Sequence, residues 1–308
     1  MASRSRFPAD KGLVARMTLT MFLLGLLYVL FVGVLIALGI PLILVLVIAV
    51  VVLFIQYYFS DKIALFGMHG HIVTPEQAPT LHGVVDRLSA LANMPKPRVA
   101  IADSDIPNAF ATGRNQANAV VCVTTGLLRR LNEPELEAVL SHELSHVAHR
   151  DVAVMTIASF LGILAGLLTR AMLYAGLFGG FGGDRGSAEG DQLAIMELGI
   201  MLVSAIVYVI SFLLIRALSR YRELAADRSG AILIGRPSLL ASALVKISGE
   251  MSRIPTRDIR SAQYFNAFYF TPAMTNGPSI SNLFSTHPSL QKRLDQLSRL
   301  EAQMERPA

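Results

Sequence analysis

Between Met17 and Ser60 the chain carries no charged residue. As a single helix this run of 44 residues would extend about 66 Å, twice the thickness of a bilayer core. Gly39-Ile40-Pro41 interrupts it, so two spans are expected, about 15–38 and 42–59, joined by a tight turn. A cleaved signal peptide fits poorly, because the apolar run is too long and a second span follows at once. The whole chain of 308 residues is 53% hydrophobic and only 16% charged, a balance that points to a membrane protein.

A second apolar region begins after Asp151. Val152 to Thr169 is uncharged, Arg170 interrupts, and a span is expected at about 152–175, with the arginine reaching to an interface. The Gly-rich segment GGFGGDRGSAEGD follows, a flexible linker by composition, and then a fourth span at about 196–215. Four units result: a membrane hairpin (1–60), a first soluble part (61–151), a second hairpin (152–215) and a second soluble part (216–308). Arg4, Arg6, Lys11 and Arg16 face one acid, Asp10, at the N-terminus, whereas the loop between spans three and four sets Arg185 against Asp184, Glu189, Asp191 and Glu197. The positive-inside rule then puts both termini and both soluble parts on the cytoplasmic side, where they can form one domain. The net charge of +5 is read as facing anionic lipid; no nucleic-acid motif accompanies it.

Within the soluble parts, Glu76–Ala92 reads as an amphipathic helix and Val99–Ala102, Ala109–Thr112 and Ala119–Val123 as short strands. Helices are expected at about 216–234, 237–252 and 288–304, with a loop-rich stretch at 254–282. The fold class is mainly α with a small β-sheet. Cys122, the sole cysteine, lies in AVVCV and reads as a buried strand thiol.

The chemistry concentrates in NEPELEAVLSHELSHVAHR, residues 132–150. Asn132 as N-cap, Pro134 in the first turn and Glu135 three residues after the cap form a helix start with a capping box. Leu136, Val139, Leu140, Leu144 and Val147 recur at helical spacing. His142 and His146 therefore share one helix face and can hold one zinc ion, with Glu143 beside them as a candidate general base. A catalytic zinc commonly takes three protein ligands. One class of such enzymes uses a histidine six residues after the second; here that position is Val152. The search moves to RYRELAADRSG, residues 220–230, where Glu223 is the candidate third ligand. Asp227, one turn on, could accept a hydrogen bond from a ligand histidine. If both helices run straight into the adjoining spans, His146 and Glu223 sit about 9 and 12 Å from the membrane, at similar depth.

HELSH and RELAAD, together with NAFATG at 108–113 and STHPSLQKR at 285–293, resemble the HtpX-type membrane zinc metallopeptidases. These are relatives of the CAAX prenyl endopeptidases among the glutamate-ligand zincins. The similarity covers nearly the whole chain, including the order of spans. It implies a zincin-like cytoplasmic protease domain with one zinc per chain on His142, His146 and Glu223, and Glu143 as general base. It also implies that Asn108-Ala109-Phe110 is the strand beside the site and pairs with an extended substrate. His287 is expected near the metal, stabilising the oxyanion or filling the open zinc position, and Arg293 to orient that region. The expected activity is endopeptidase cleavage of cytoplasmic parts of damaged or misfolded membrane proteins, in quality control. Substrates would be membrane proteins or unfolded polypeptides, and the bilayer a constant partner.

Two other classes are weaker. A non-catalytic zinc scaffold has no need of Glu143 beside the ligands. A transporter needs ionisable groups along its spans, which hold almost none besides Arg170. His69 and His71 are not read as a second metal site, His149 is read as lying beside the ligands or in solvent, and Asn266-Ala267-Phe268 as packing or gating.

Overall fold

The computed structural model describes residues 11–37, 57–151, 188–251 and 287–305, with scattered positions between 43 and 55 and between 153 and 166. Half of the second span, most of the third, most of the Gly-rich segment, the 254–282 stretch and Asn266–Phe268 lie outside the described residues.

The elements run α1 (Lys11–Ala37), α2 (Ser60–Gly67), β1 (Gly70–Ile72), α3 (Pro79–Ala92), β2 (Arg98–Ala102), β3 (Ala109–Thr112), β4 (Val120–Thr124), α4 (Thr125–Arg130), α5 (Glu133–Ala148), α6 (Ala188–Ile234), α7 (Pro237–Met251) and α8 (Leu290–Met304). The fold is mainly helical with one small mixed sheet of order β1-β2-β4-β3. β2 and β4 pair in parallel, and β1 and β3 flank them antiparallel.

Strand β4 is apolar at every position but its last and is buried throughout, as expected for a strand covered on both faces. Its alternation assigns the two faces. Val121 and Val123 join Val99 and Ala109 in the main core, which α3, α5, α7 and α8 complete. Val120 and Cys122 join Ala100, Ala102 and Phe110 against Ala64 of α2. Burial pushes the Cys122 thiol up to about 12, so it behaves as a small core residue. β1 is an addition to the expected sheet. With only three residues and an exposed His71 it carries little strand signal. Helix α3 begins at Pro79 rather than at 76 because residues 74–78 form a turn, with Ala78 N–H donating to the Thr74 carbonyl.

Two helical stretches are long and apolar enough to cross a membrane, Val14–Ala37 of α1 and Leu198–Ile234 of α6. They pack together, burying Leu24 against Leu218. Outward they present Phe22, Val29 and Leu30 from one helix and Leu202, Ile206 and Val209 from the other, an apolar surface suited to lipid. The expected fourth span and the 216–234 helix are one unbroken helix of 47 residues.

Helix α5 ends differently from expectation. The sequence suggested direct continuation into the third span. Instead α5 stops at Ala148, and Arg150 takes a left-handed φ of 57°. Helical backbone resumes at Asp151, with Ala153 N–H donating to the Arg150 carbonyl. No glycine marks this break, so composition could not reveal it. The depth estimate that relied on a straight helix at His146 lapses with it.

Helices α5 and α6 approach unusually closely. A Cβ added at Gly230 would lie 2.8 Å from the backbone nitrogen of His142 and 2.9 Å from its Cα. Ser141 Oγ, which donates to the Ala138 carbonyl of its own helix at 2.8 Å, lies 3.2 Å from the Gly230 carbonyl, and Ser145 Oγ, which donates to the His142 carbonyl at 2.7 Å, lies 3.4 Å from the Ala226 carbonyl. Small residues on both helices thus set the crossing distance. Gly230→Ala is expected to force the backbones apart and lower stability by about 1–3 kcal/mol, as overpacking does, read as a fall in the thermal midpoint of the purified chain.

Candidate metal centre

The close crossing carries Glu223 of α6 over the histidine face of α5. His142 Nε2 and His146 Nε2 are 3.1 Å apart. Glu223 Oε2 lies 3.7 Å from the first and Oε1 lies 3.5 Å from the second. Ligand atoms of these three residues all fall within 4.8 Å of one another, and among the described residues this is the cluster able to hold a metal ion. His69 and His71 are not part of any such cluster.

Each histidine is held from behind by a carboxylate. Asp227 Oδ1 is 2.9 Å from His142 Nδ1. Asp151 Oδ2 is 2.5 Å from His146 Nδ1. An ionised carboxylate only accepts, so each Nδ1 carries the proton and each Nε2 keeps its lone pair. Two lone pairs then face each other and a carboxylate. A proton could bridge one pair of these atoms; a divalent cation satisfies all three. The donor set of two imidazoles and one carboxylate fits zinc.

The carboxylates are themselves braced. Arg293 Nε donates to Asp227 Oδ2 at 2.7 Å and Nη2 to Oδ1 at 2.6 Å, a two-point clamp. Arg293 is only 1% exposed and Asp227 is fully buried, so neither is a solvated surface charge. Arg222 Nη2 lies 2.9 Å from Asp151 Oδ2. Burial would raise the Asp151 carboxyl, but Arg222 and His146 outweigh it and hold it well below the usual range. Burial pushes His142 down. It also acts against charge on His146, but the bond to Asp151 prevails and that ring titrates higher than usual. The two histidines of the cluster are thus poised unequally.

Glu143 is buried, and its Oε2 accepts the backbone N–H of Ala111 at 2.9 Å. Burial pushes its carboxyl up to about 8, with His146 pulling the other way. A carboxyl in that range can hold and release a proton near neutrality. His287 is buried, with Nδ1 3.1 Å from Glu223 Oε2. Asn108 is fully buried and leads into β3, where Ala109 and Phe110 are also buried. Thr124 N–H donates to the Asn108 carbonyl. By the alternation of an antiparallel pair, Asn108 and Phe110 direct their backbone groups to β4, and Ala109 and Ala111 direct theirs outward. His149 caps the end of α5, half-buried, and does not reach the cluster.

The site residues proposed from the sequence, His142, Glu143, His146, Glu223, Asp227, His287, Arg293 and the strand at Asn108–Phe110, are gathered here, whereas His149 and the His69 and His71 pair stand outside the ligand cluster. Three contributors escaped that reading. Asp151 lies five residues after His146, about 140° around a continuous helix; only the break at Arg150 returns it to the ring. Arg222 looked like one of several basic residues following a span. Ala111 acts through its backbone, which no side-chain pattern reports.

A family model, Peptidase family M48, matches residues 75–301, a range that includes every residue of this cluster. The chain belongs to peptidase family M48. It is therefore a metallopeptidase, a hydrolase, as expected of the resemblance to HtpX-type enzymes. Similar M48 relatives include a protease HtpX homolog 1 of Streptomyces coelicolor, 60% identical over 99% of this chain and 98% of the relative. A protease HtpX homolog of Moorella thermoacetica is 54% identical over 98% of this chain and 99% of its own length. Among solved structures, the crystal structure of S. mikatae Ste24p matches with a TM-score of 0.54 and 18% identity, covering 94% of this chain and 67% of that one. That likeness concerns the fold.

If Asp151 and Asp227 orient the ligand rings, Asp151→Asn and Asp227→Asn should each weaken zinc binding by about 10–100-fold. Competition with a calibrated chelator measures this.

Proposed function

We propose that this M48 metallopeptidase is a zinc endopeptidase of the cytoplasmic membrane, with one zinc per chain on His142, His146 and Glu223. The observation that carries the reading is the hydrogen bond from Ala111 to Glu143. It joins the outward edge of a terminal strand to a buried acid beside the candidate ligands. The expectations for the individual residues follow from that arrangement.

Zinc held there would supply a Lewis acid, acidifying water and polarising the scissile carbonyl. The remaining work falls to the chain. β3 lies at the edge of the sheet, and the outward backbone groups of Ala109 and the carbonyl of Ala111 offer hydrogen bonds to an extended substrate, the Ala111 N–H being taken by Glu143, while Asn108 and Phe110 anchor that strand to β4. Such pairing reads backbone and demands little of the substrate's side chains. Glu143 accepts the proton of the attacking water and returns it to the leaving amine. His287, beside Glu223, is placed to donate to the oxyanion. Asp227 and Arg293 hold the His142 ring in register, and Asp151 does the same for His146.

The membrane placement draws support from the apolar helices and from the basic N-terminus. With four spans at about 15–38, 42–59, 152–175 and 196–215, both termini and the protease domain face the cytoplasm. A site served by an edge strand, adjoining membrane helices, suits unfolded cytoplasmic segments of membrane proteins, and we assign it to removal of damaged or misfolded ones.

Glu143→Gln should retain zinc at one per chain and lose cleavage by about 10²–10⁴-fold, the usual worth of a general base. His142→Ala should lose both metal and activity. Metal content together with cleavage of an unfolded membrane substrate reads the outcome; undiminished proteolysis by Glu143→Gln would remove the assigned mechanism.

A further inference from the structure

A cavity of about 370 Å³ lies away from the metal centre, where α1, α6 and α8 meet. Each helix gives it a stripe at helical spacing. Gly12 and Arg16 come from α1, Leu224 and Arg228 from α6, and positions 292, 295, 296, 299, 300 and 303 from α8. The lining carries four cationic side chains, Arg16, Arg228, Lys292 and Arg299, against one acid, Asp295. That acid also accepts a hydrogen bond from Gln291 at 2.7 Å. Like charges converging on one hollow repel, and an anion in the hollow reverses the sign of that interaction.

We infer that this cavity binds the phosphate of an anionic membrane phospholipid. Depth decides the source of the phosphate. Arg16 stands in the first turn of the apolar stretch Val14–Ala37. An arginine at the end of such a stretch lies at headgroup level, where its stem stays in the apolar layer and its guanidinium reaches phosphate. Leu224 and Arg228 follow the proposed end of span four, so the cavity opens from the headgroup layer toward the water beneath it. Basic hollows between membrane helices on the cytoplasmic side are suited to acidic lipid headgroups. The exposed Lys292 and Arg299 reach the same hollow from the soluble side. A bound headgroup would therefore join α1 and α8 across α6.

The position bears on the metal centre without entering it. Leu224 and Arg228 each follow a member of the cluster, Glu223 and Asp227, and Lys292 immediately precedes Arg293. Gln296 Nε2 donates to the Leu224 carbonyl at 2.6 Å, fastening α8 to α6 at this level. A headgroup in the cavity would hold α8 down on α6, and with it the clamp of Arg293 on Asp227.

This inference rests on the membrane placement of α1 proposed above. The test uses the full chain in neutral detergent, loaded with zinc and titrated with phosphatidylglycerol, with phosphatidylcholine of the same acyl chains and with inorganic phosphate. Native mass spectrometry counts bound lipid. The wild type should take up phosphatidylglycerol and not phosphatidylcholine. The variant Arg228→Gln/Lys292→Gln/Arg299→Gln should bind it about a hundredfold more weakly, at roughly fivefold per cation lost. The charge-conserving Lys292→Arg/Arg299→Lys should bind as the wild type does. Zinc content reports on folding in every sample. Equal binding of phosphatidylglycerol by the triple glutamine variant and the wild type overturns the site. Displacement of the lipid by millimolar inorganic phosphate overturns the lipid as its ligand. Failure of the membrane reading registers separately, as release of the chain from membranes by alkaline carbonate, and failure of the protease reading as absent cleavage with lipid binding intact.

Discussion

The contact between α5 and α6 governs what this molecule can do. Glu223 reaches the two histidines because the backbones cross with a glycine, an alanine and two serines between them. Any larger residue at Gly230 meets the backbone of His142 itself, and backbone cannot rotate away as a side chain can. Packing at the crossing and geometry at the metal centre are therefore one constraint. The serine hydroxyls at the crossing turn back to carbonyls of their own helix and lie within reach of those on the facing one, so they fill the seam without bulk.

Around that crossing the charges are arranged in two unlike braces. Asp227 is fixed by a bidentate arginine from the last described helix, Arg293, which is 66 residues away in sequence and fully enclosed. Asp151 is fixed by Arg222 from the same helix as Glu223. Burying such charges is costly unless each is paired and hydrogen-bonded, and here each carboxylate has both a cation and an imidazole. One ring thus depends on docking of the C-terminal helix, and the other on a break in its own helix.

Much of this was legible in advance. The capping box at Asn132 and Glu135 forms as expected, and the 3.6-residue period of α5 placed His142 and His146 on one face. Asp227 followed from its spacing to Glu223, and the strands expected at 99–102, 109–112 and 119–123 form at 98–102, 109–112 and 120–124. Other features were opaque for physical reasons. The left-handed residue at Arg150 carries a side chain that gives no turn signal. Asp151 depends on that break. Ala111 contributes only a backbone N–H. Gly230 lies inside the helix expected at 216–234, and its steric role requires knowing what lies opposite. Arg293, on an amphipathic helix, resembled a solvated cation until its partner on α6 was seen.

The two helices that supply the metal centre are mechanically unequal. α6 runs without interruption from its apolar half through Glu223 to Ile234, whereas α5 is separated from the helical backbone after it by the joint at Arg150. A continuous helix passes tilt and axial displacement along its length, and a joint absorbs them. The apolar end of α6 is therefore coupled through continuous helix to the carboxylate, while the segment beyond Arg150 reaches the imidazoles only through the Asp151 bond to His146. The carboxylate side of the cluster is joined to its apolar helix directly, and the imidazole side through a side-chain contact. The bite of the cluster, the gap between carboxylate and rings, is set by how α6 is seated in its surroundings.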